Sequence, residues 1–281
     1  VLTVRTREEL TAATRDLRGP SRKVCLVPTM GFLHEGHLSL VDRAHDLAET
    51  VVVSIFVNPL QFGLGEDLGT YPRDEARDLA LLEARGTDVV FVPTVEEMYP
   101  AGDPQVTVSP GPMERRLCGA HRPGHFRGVL TVVAKLFGLA RPDVAVFGRK
   151  DFQQSVLIRR MARDLNLGVR VETGPIVRES DGLAMSSRNA YLSGPERTQA
   201  AGLHRALSAT AALFGGGERR AAALLAAVER EIANHPLLSL QYAEVVEPEG
   251  LEAVNKASPG DVVALAAFCG TTRLIDNVEL S

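Results

Sequence analysis

His34 and His37 lie three residues apart, with Glu35 and the glycines Gly31 and Gly36, in the stretch VPTMGFLHEGHLSLV from Val27 to Val41. Two imidazoles and a carboxylate this close first suggest zinc. A helical zinc-protease site, however, requires H-E-x-x-H, with its histidines four apart on one helical face, and the spacing here is H-E-G-H. Gly36 marks a turn in which backbone must come close to something. A phosphate reading fits better. An apolar strand runs to Pro28, helical spacing begins at Leu38, and the amino end of a helix attracts anions through unpaired N–H groups and its dipole. Met30, Gly31, Phe32 and Leu33 would then form the turn itself. Two imidazoles there can hydrogen-bond phosphate oxygens and, as imidazolium, stabilise charge on a phosphorus-centred transition state. The plainer alternative is that one histidine caps the helix and the other packs.

Three further clusters carry usable chemistry. In GRKDFQQ, from Gly148 to Gln154, Lys150 suits a phosphate and Asp151 a ribose hydroxyl, although Asp151 also reads as the N-cap of a following helix. In GLAMSSRN, from Gly182 to Asn189, the hydroxyls of Ser186 and Ser187 and the guanidinium of Arg188 suit a triphosphate that loses diphosphate; alone, this is a polar loop. In FVNPLQFG, Asn58 and Gln61 are uncharged donors and acceptors that can orient a hydroxy acid between the apolar walls of Phe56 and Phe62.

The elements that must position these clusters read as an α/β fold. RKVCLVPTM is a strand, HLSLVDRAHDLAE a helix, TVVVSIFVNP a strand covered on both faces, YPRDEARDLALLEARG a helix and TDVVFVP a strand. This order implies a parallel sheet with right-handed crossovers. Residues 93–128 form a long excursion rich in proline, glycine and polar groups. The alternation resumes with PDVAVFG and VRVETGPIV as strands around QQSVLIRRMARDLN as a helix, which gives a Rossmann-like, doubly wound sheet of five strands. Ligands of such sheets sit beyond the carboxyl ends of the strands, near the point where strand order reverses, and each cluster follows a predicted strand. Beyond that, two alanine-rich helices around GGG and three strand-like segments pattern as a smaller C-terminal α+β module. The expected division is residues 1–176 for nucleotide and substrate, and residues 177–281 carrying the MSSR loop.

With 31 Lys plus Arg against 35 Asp plus Glu, the net charge of −4 gives no footprint for nucleic acid or an anionic membrane, which favours small substrates. Three scattered cysteines, Cys25, Cys118 and Cys269, argue against a disulfide framework or a zinc ribbon and fit a reducing cytoplasm. No signal peptide and no apolar run approaching the ~18 residues of a membrane span are found. The start at Val1 in place of a methionine reads as processing or trimming.

The H-x-G-H turn and MSSR together resemble the nucleotidyltransferase superfamily. More closely, PTMGFLHEGHLSLV, SIFVNPLQFG, YPR, HFRGVLTVV, KDFQQ and DGLAMSSRNAYL, with weaker agreement at YAEVV and GTTRLIDN, resemble the pantoate–β-alanine ligase family. The resemblance implies ligation of pantoate and β-alanine through a pantoyl-adenylate, with ATP and magnesium, in a cytoplasmic homodimer. It also implies that Met30 to His37 wrap ATP, with His37 as proton donor and His34 steadying the phosphates. Gly148, Arg149, Lys150 and Asp151 would form the nucleotide turn, with Val177 beside adenine and Met185 to Arg188 as a mobile phosphate loop. Gln61 and Gln154 would hold pantoate, with Arg122 and His125 on the same side, while residues 63–70 and the MSSR loop act as lids. Magnesium is expected on ATP phosphates and water rather than on protein ligands, Asp151 and Asp78 being the nearest candidates. The chain departs from the family at Arg149, where an acidic residue is common, and at Phe152, where Tyr or Trp is frequent; the first exchange is expected to alter ATP or magnesium affinity.

The competing readings belong to other classes. Another nucleotidyltransferase, acting on a phosphorylated acceptor, would want a basic pocket in place of Gln61 and Gln154. A tRNA synthetase conflicts with the net charge of −4 and the lack of a recognisable anticodon module. A non-catalytic nucleotide sensor is disfavoured by the presence of both histidines, Lys150 and Arg188.

Overall fold

The computed structural model describes residues 1–19 and 22–281. The first part of the chain runs β1 (Leu2–Val4), α1 (Arg7–Leu17), β2 (Val24–Thr29), α2 (Glu35–His45), β3 (Thr50–Ile55), α3 (Glu75–Ala84) and β4 (Val89–Phe91). It continues through α4 (Val95–Met98), α5 (Leu117–His121), α6 (His125–Ala140), β5 (Val144–Gly148), α7 (Phe152–Asp164) and β6 (Arg170–Gly174). The six strands form one parallel sheet in the order β1-β4-β3-β2-β5-β6. Every residue of β3 is buried, and β2 is nearly so, because helices cover both faces. Leu38, Val41 and Ala44 of α2 and Leu82 of α3 pack on one face. Leu10 of α1, Leu130 and Val133 of α6, and Ile158 of α7 pack on the other.

The remainder adds α8 (Gly194–Ala200), α9 (Gly202–Gly215) and α10 (Ala221–Ala233), then an antiparallel sheet of β7 (Leu238–Val246), β8 (Val262–Cys269) and β9 (Thr272–Glu279). Strand alternation gives this sheet two working faces. Val263, Leu265 and Leu274 bury against Leu207, Phe214 and Leu224 of the helices. Val262 and Ala264 turn the other way and meet Leu117, Phe152 and Val156 of the first part. All three cysteines are free and buried. Among the described residues, no helix is long and apolar enough to cross a membrane.

Three elements differ from the sequence reading. The parallel sheet has a sixth strand, β1, too short at three residues for its alternation to register. Helix α2 starts at Glu35, so Gly36 lies inside its first turn; a Cβ there would come within 2.9 Å of the His34 ring, which is why glycine stands at this position. The first alanine-rich helix breaks at Ala201, and Gly202 just beyond it packs so tightly on the His235 ring that a Cβ would lie 2.4 Å from it.

Strand order reverses between β2 and β5, so the crevice beyond Thr29 and Gly148 is where a ligand of this sheet belongs. One wall of the crevice depends on a close approach. A Cβ at Gly128 of α6 would lie 2.2 Å from the Leu60 carbonyl oxygen, in the 3-10 turn Pro59–Gln61. Gly128→Ala is therefore expected to push that turn away, costing about 1–3 kcal/mol in urea unfolding and weakening whatever Gln61 binds; an unchanged unfolding midpoint would contradict the close packing.

Candidate active site

The turn between β2 and α2 is shaped from below by Asp78. Its buried carboxylate accepts the Phe32 and Leu33 amides, both at 2.7 Å, while Arg77 of α3 donates to the Leu33 carbonyl at 2.9 Å. Gly31 has φ +82°, and a Cβ there would meet Ile55 at 2.9 Å and Asp78 at 3.0 Å, so only glycine closes this turn without strain. With both carboxylate oxygens engaged by backbone amides, Asp78 is a strut for the turn and not the metal ligand weighed from the sequence.

His34 and His37 cap the helix for each other. The Gly36 amide donates to His34 Nδ1 at 3.1 Å, and the His34 amide donates, at a longer 3.4 Å, to His37 Nδ1. This is a capping box in which imidazoles stand where a hydroxyl and a carboxylate usually do. An amide can only donate, so both Nδ1 atoms must be unprotonated and each neutral ring carries its proton on Nε2. The ring centroids are 4.1 Å apart. Burial, then His37 and Lys150, lowers the pKa of His34 to about 3, and burial, then Lys150, lowers that of His37 to about 4. In the ligand-free protein both rings are thus neutral Nε2–H donors near pH 7, the form suited to hydrogen-bonding phosphate oxygens. Capping and ligand donation, posed as alternatives there, use opposite nitrogens of the same rings.

Both histidines line a cavity of about 200 Å³ together with Met30, Gln61, Gln154 and Val177. It shares Lys150, Asp151, Ser186 and Arg188 with a second cavity of about 810 Å³ that extends between residues 64–70 and the face of β9. Lys150 makes no ion pair among the described residues, and burial pushes its pKa down. Asp151 precedes α7 but forms no side-chain cap bond, so the N-cap alternative does not account for its carboxylate.

The MSSR loop leaves a short hairpin in which Met185 N donates to the Val177 carbonyl and Glu179 N to that of Leu183. Ser187 donates to the Phe32 carbonyl at 3.1 Å and so docks the loop on the histidine turn. Ser186 Oγ accepts from Arg188 N, which leaves its own proton available. Arg188 is held by Asp67 through two bonds of 2.8 and 2.9 Å and lies over the Tyr71 ring, while Tyr191 also donates to Asp67. Arg122 is held in the same way by Glu66, at 2.7 and 2.5 Å. These acidic and aromatic partners were not singled out from the sequence as site residues; YPR, which contains Tyr71, was the one signal.

Gln61 is fixed by several neighbours. Its amide donates to Met30 Sδ at 3.0 Å, and Asn58 Nδ2 donates to its Oε1 at 3.1 Å. Asn58 lines the same cavity but is buried and also bonds the Gly128 carbonyl and the Tyr99 hydroxyl, so it supports Gln61 from behind. His125 Nδ1–H donates to the Gln61 carbonyl at 2.7 Å, while its Nε2 accepts from Arg122 at 2.9 Å; burial and the neighbouring Arg122 lower its pKa to about 4. Gln153 and Gln154 part company on α7: Gln153 is buried on the carbonyls of Met113 and Arg116, and Gln154 faces the cavity.

Three expected ligand-side residues point elsewhere. Glu35 is the first residue of α2, and its exposed side chain pairs with Arg85 at 2.9 Å. Leu33 is buried in the core. The Arg149 guanidinium pairs with Glu279 at the end of β9, so the charge that departs from the family pattern is directed at the C-terminal sheet and away from the crevice. Phe152, the other departure, packs in the seam with Leu117 and Val262.

The profile of the pantoate-beta-alanine ligase family matches residues 2–279. A pantothenate synthetase of Geobacter sulfurreducens is 52% identical over 272 residues, covering 97% of this chain and 96% of the relative. The crystal structure of pantothenate synthetase from Thermus thermophilus superposes with a TM-score of 0.94 at 48% identity, covering 100% of this chain and 99% of that one. The Francisella tularensis pantoate-beta-alanine ligase, solved in complex with beta-gamma ATP and beta-alanine, superposes with a TM-score of 0.82 at 30% identity, covering 99% and 97%. On the family profile, which spans nearly the whole chain, and on these relatives, the chain belongs to the pantoate-beta-alanine ligase family, the pantothenate synthetases.

Proposed function

We propose that the chain joins pantoate to β-alanine in two steps within this crevice, with ATP entering as its magnesium complex. In the first, a pantoate carboxylate oxygen attacks the α-phosphorus, the bond to the bridging oxygen breaks, and diphosphate leaves. In the second, the β-alanine amine attacks the acyl carbon of the pantoyl-adenylate, AMP leaves with the electron pair of the acyl–oxygen bond, and the amine gives up a proton. Neither step needs a protein nucleophile, which agrees with a site of imidazoles, cations, hydroxyls and amides. The protein contributes orientation and charge stabilisation.

The observation that carries this reading is Lys150, a half-buried cation without a carboxylate partner among the described residues, facing the same cavity as the Nε2–H groups of His34 and His37. The lysine would hold the triphosphate, with His37 and His34 donating to its oxygens and Ser186 and Arg188 closing over the departing diphosphate. Asp151 would take the ribose, Val177 the adenine edge, and Gln61 and Gln154 the pantoate hydroxyls. Arg122 and Arg188 are bound by Glu66 and Asp67 of the 63–70 loop, so anionic substrates would take over these cations as that loop resettles and keeps water from the mixed anhydride. Among the described residues, no three His, Cys, Asp or Glu side chains gather as metal ligands. Magnesium would therefore keep phosphate oxygens and water as its ligands.

Residues 1–176 would form the nucleotide and pantoate unit, and 177–281 the unit that brings the phosphate loop. The separate packing of Leu203, Phe214 and Leu224 with β8 supports this division. The resemblance supports a cytoplasmic homodimer, which light scattering would test; a strictly monomeric mass would remove the dimer.

Pantoate-dependent exchange of labelled diphosphate into ATP without β-alanine is the expected partial reaction; folded protein that ligates but does not exchange would sink the adenylate. His37→Ala should lower that exchange about 100- to 1,000-fold, and a near-parental rate would remove His37 from its role. The half-buried histidines provide a test independent of turnover. A ring held neutral in the fold, yet protonated near pH 6.5 when unfolded, binds fewer protons folded; its stabilisation is present above about pH 6.5 and is lost as pH falls toward 4. The unfolding temperature should drop between pH 6.5 and 4.5, above the range where most carboxylates titrate. It should drop less in the His34→Asn/His37→Asn variant; an equal drop in both proteins would contradict the half-buried neutral pair.

A further inference from the structure

We propose that β9 sets the distance between the two phosphate-side loops through adjacent residues, Asp276 and Asn277, which makes this pair the positioning element of the adenylation site. The proposal rests on the two-step reading above. Both residues lie in the GTTRLIDN stretch, to which the chemistry of the two steps gives no part.

Consecutive residues of a strand point to opposite faces, and here each face meets a different loop. Asp276, 3% exposed, receives Arg178 through two bonds, at 2.6 Å to Oδ2 and 3.0 Å to Oδ1. Arg178 in turn donates to the Gly182 carbonyl at 3.0 Å and pairs across the hairpin with Ala184. The ion pair thus clamps the base of the hairpin from which Ser186, Ser187 and Arg188 extend. A planar guanidinium meeting a carboxylate with two parallel bonds fixes orientation as well as distance.

Asn277, 2% exposed, points the other way. Its amide nitrogen donates to the carbonyls of Arg149 and Lys150, at 3.0 and 3.1 Å, so both of its protons hold the turn that carries Lys150. Its Oδ1 is buried without a hydrogen-bond partner. Such an acceptor costs stability, and an apolar side chain would fill the place without that cost. The two bonds to the turn are what the amide supplies in exchange. The main-chain link is direct as well, since Asp276 Oδ1 accepts the Asn277 amide at 2.8 Å.

The functional consequence follows from the reaction. Lys150 and the group of Ser186 and Arg188 must meet one triphosphate from two sides, and they belong to loops that leave different strands. Misplacement by about 1 Å can cost roughly 100-fold in rate. Gln61, which would take pantoate, is fixed by Asn58 and Met30 of the first part of the chain, so loosening β9 should disturb phosphate handling and spare pantoate.

Asn277→Ala and Arg178→Ala, with Arg178→Lys as the conservative partner, test this against Val278→Ala, a packing change on the same strand. Asn277→Ala should lower diphosphate exchange about 10- to 100-fold and weaken ATP binding measured by calorimetry, with the KM for pantoate within about twofold of the parent. Arg178→Lys should recover part of what Arg178→Ala loses, and Val278→Ala should exchange like the parent. Exchange and ATP affinity within about twofold of the parent in Asn277→Ala, or an equal loss in Val278→Ala, would overturn the proposal. If Asn277→Ala does not fold, Asn277→Ser carries the same prediction. Should the parent itself not exchange, the adenylate reading fails, and ATP affinity of the variants still decides whether β9 positions the loops.

Discussion

A helix that begins at the edge of a cavity must still satisfy its first amides, and in this protein the histidines that line the cavity do so. The Gly36 and His34 amides donate to the Nδ1 atoms of His34 and His37. That requirement fixes the tautomer, turns both Nε2–H groups into donors and makes protonation costly, since a proton on Nδ1 would displace an amide. The rest of the site is arranged around this constraint. Asp78 and Gly31 bend the preceding turn so that the caps can form, and Ser187 secures the MSSR loop to the same turn through the Phe32 carbonyl.

Neutral donors alone do not neutralise a triphosphate, and the positive charge comes from elsewhere. On the proposed function Lys150 would supply it from the end of β5, Arg188 from the far side, and Arg122 from the end of α5. The last two are paired in the ligand-free protein with Asp67 and Glu66, two neighbouring carboxylates of one loop. A cation left unpaired in a partly buried crevice is costly, and these carboxylates offset that cost until an anion arrives. Lys150 has no such partner among the described residues, so on the proposed function it would depend most on the ligand for its charge balance.

Much of this arrangement was legible in the sequence. Continuous apolar runs such as TVVVSIFV identified strands covered on both faces, and clusters of His, Lys, Ser and Arg directly after predicted strands located the crevice. What escaped was set by tertiary contact. Asp78 sits on an amphipathic helix and looks like any solvated carboxylate until its partners, 45 and 46 residues away, are known. Asn58 looked like a substrate ligand because its type suits one, yet four partners bury it. Arg149 lies within the expected nucleotide turn, but its side chain follows Glu279 across the chain. The resting protonation state of the histidines was not legible for a similar reason: residue type gives the ordinary pKa, and burial decides the departure from it.

The direct test of the account is the state of the two rings. Nitrogen-15 NMR of selectively labelled histidine in the ligand-free protein at pH 7 should show His34 and His37 as neutral imidazoles with the proton on Nε2, unchanged down to about pH 5 and displaced when MgATP is added. A proton on Nδ1 of either ring, or a titration midpoint near 6.5, would contradict the reciprocal cap and with it the neutral-donor site built on that cap.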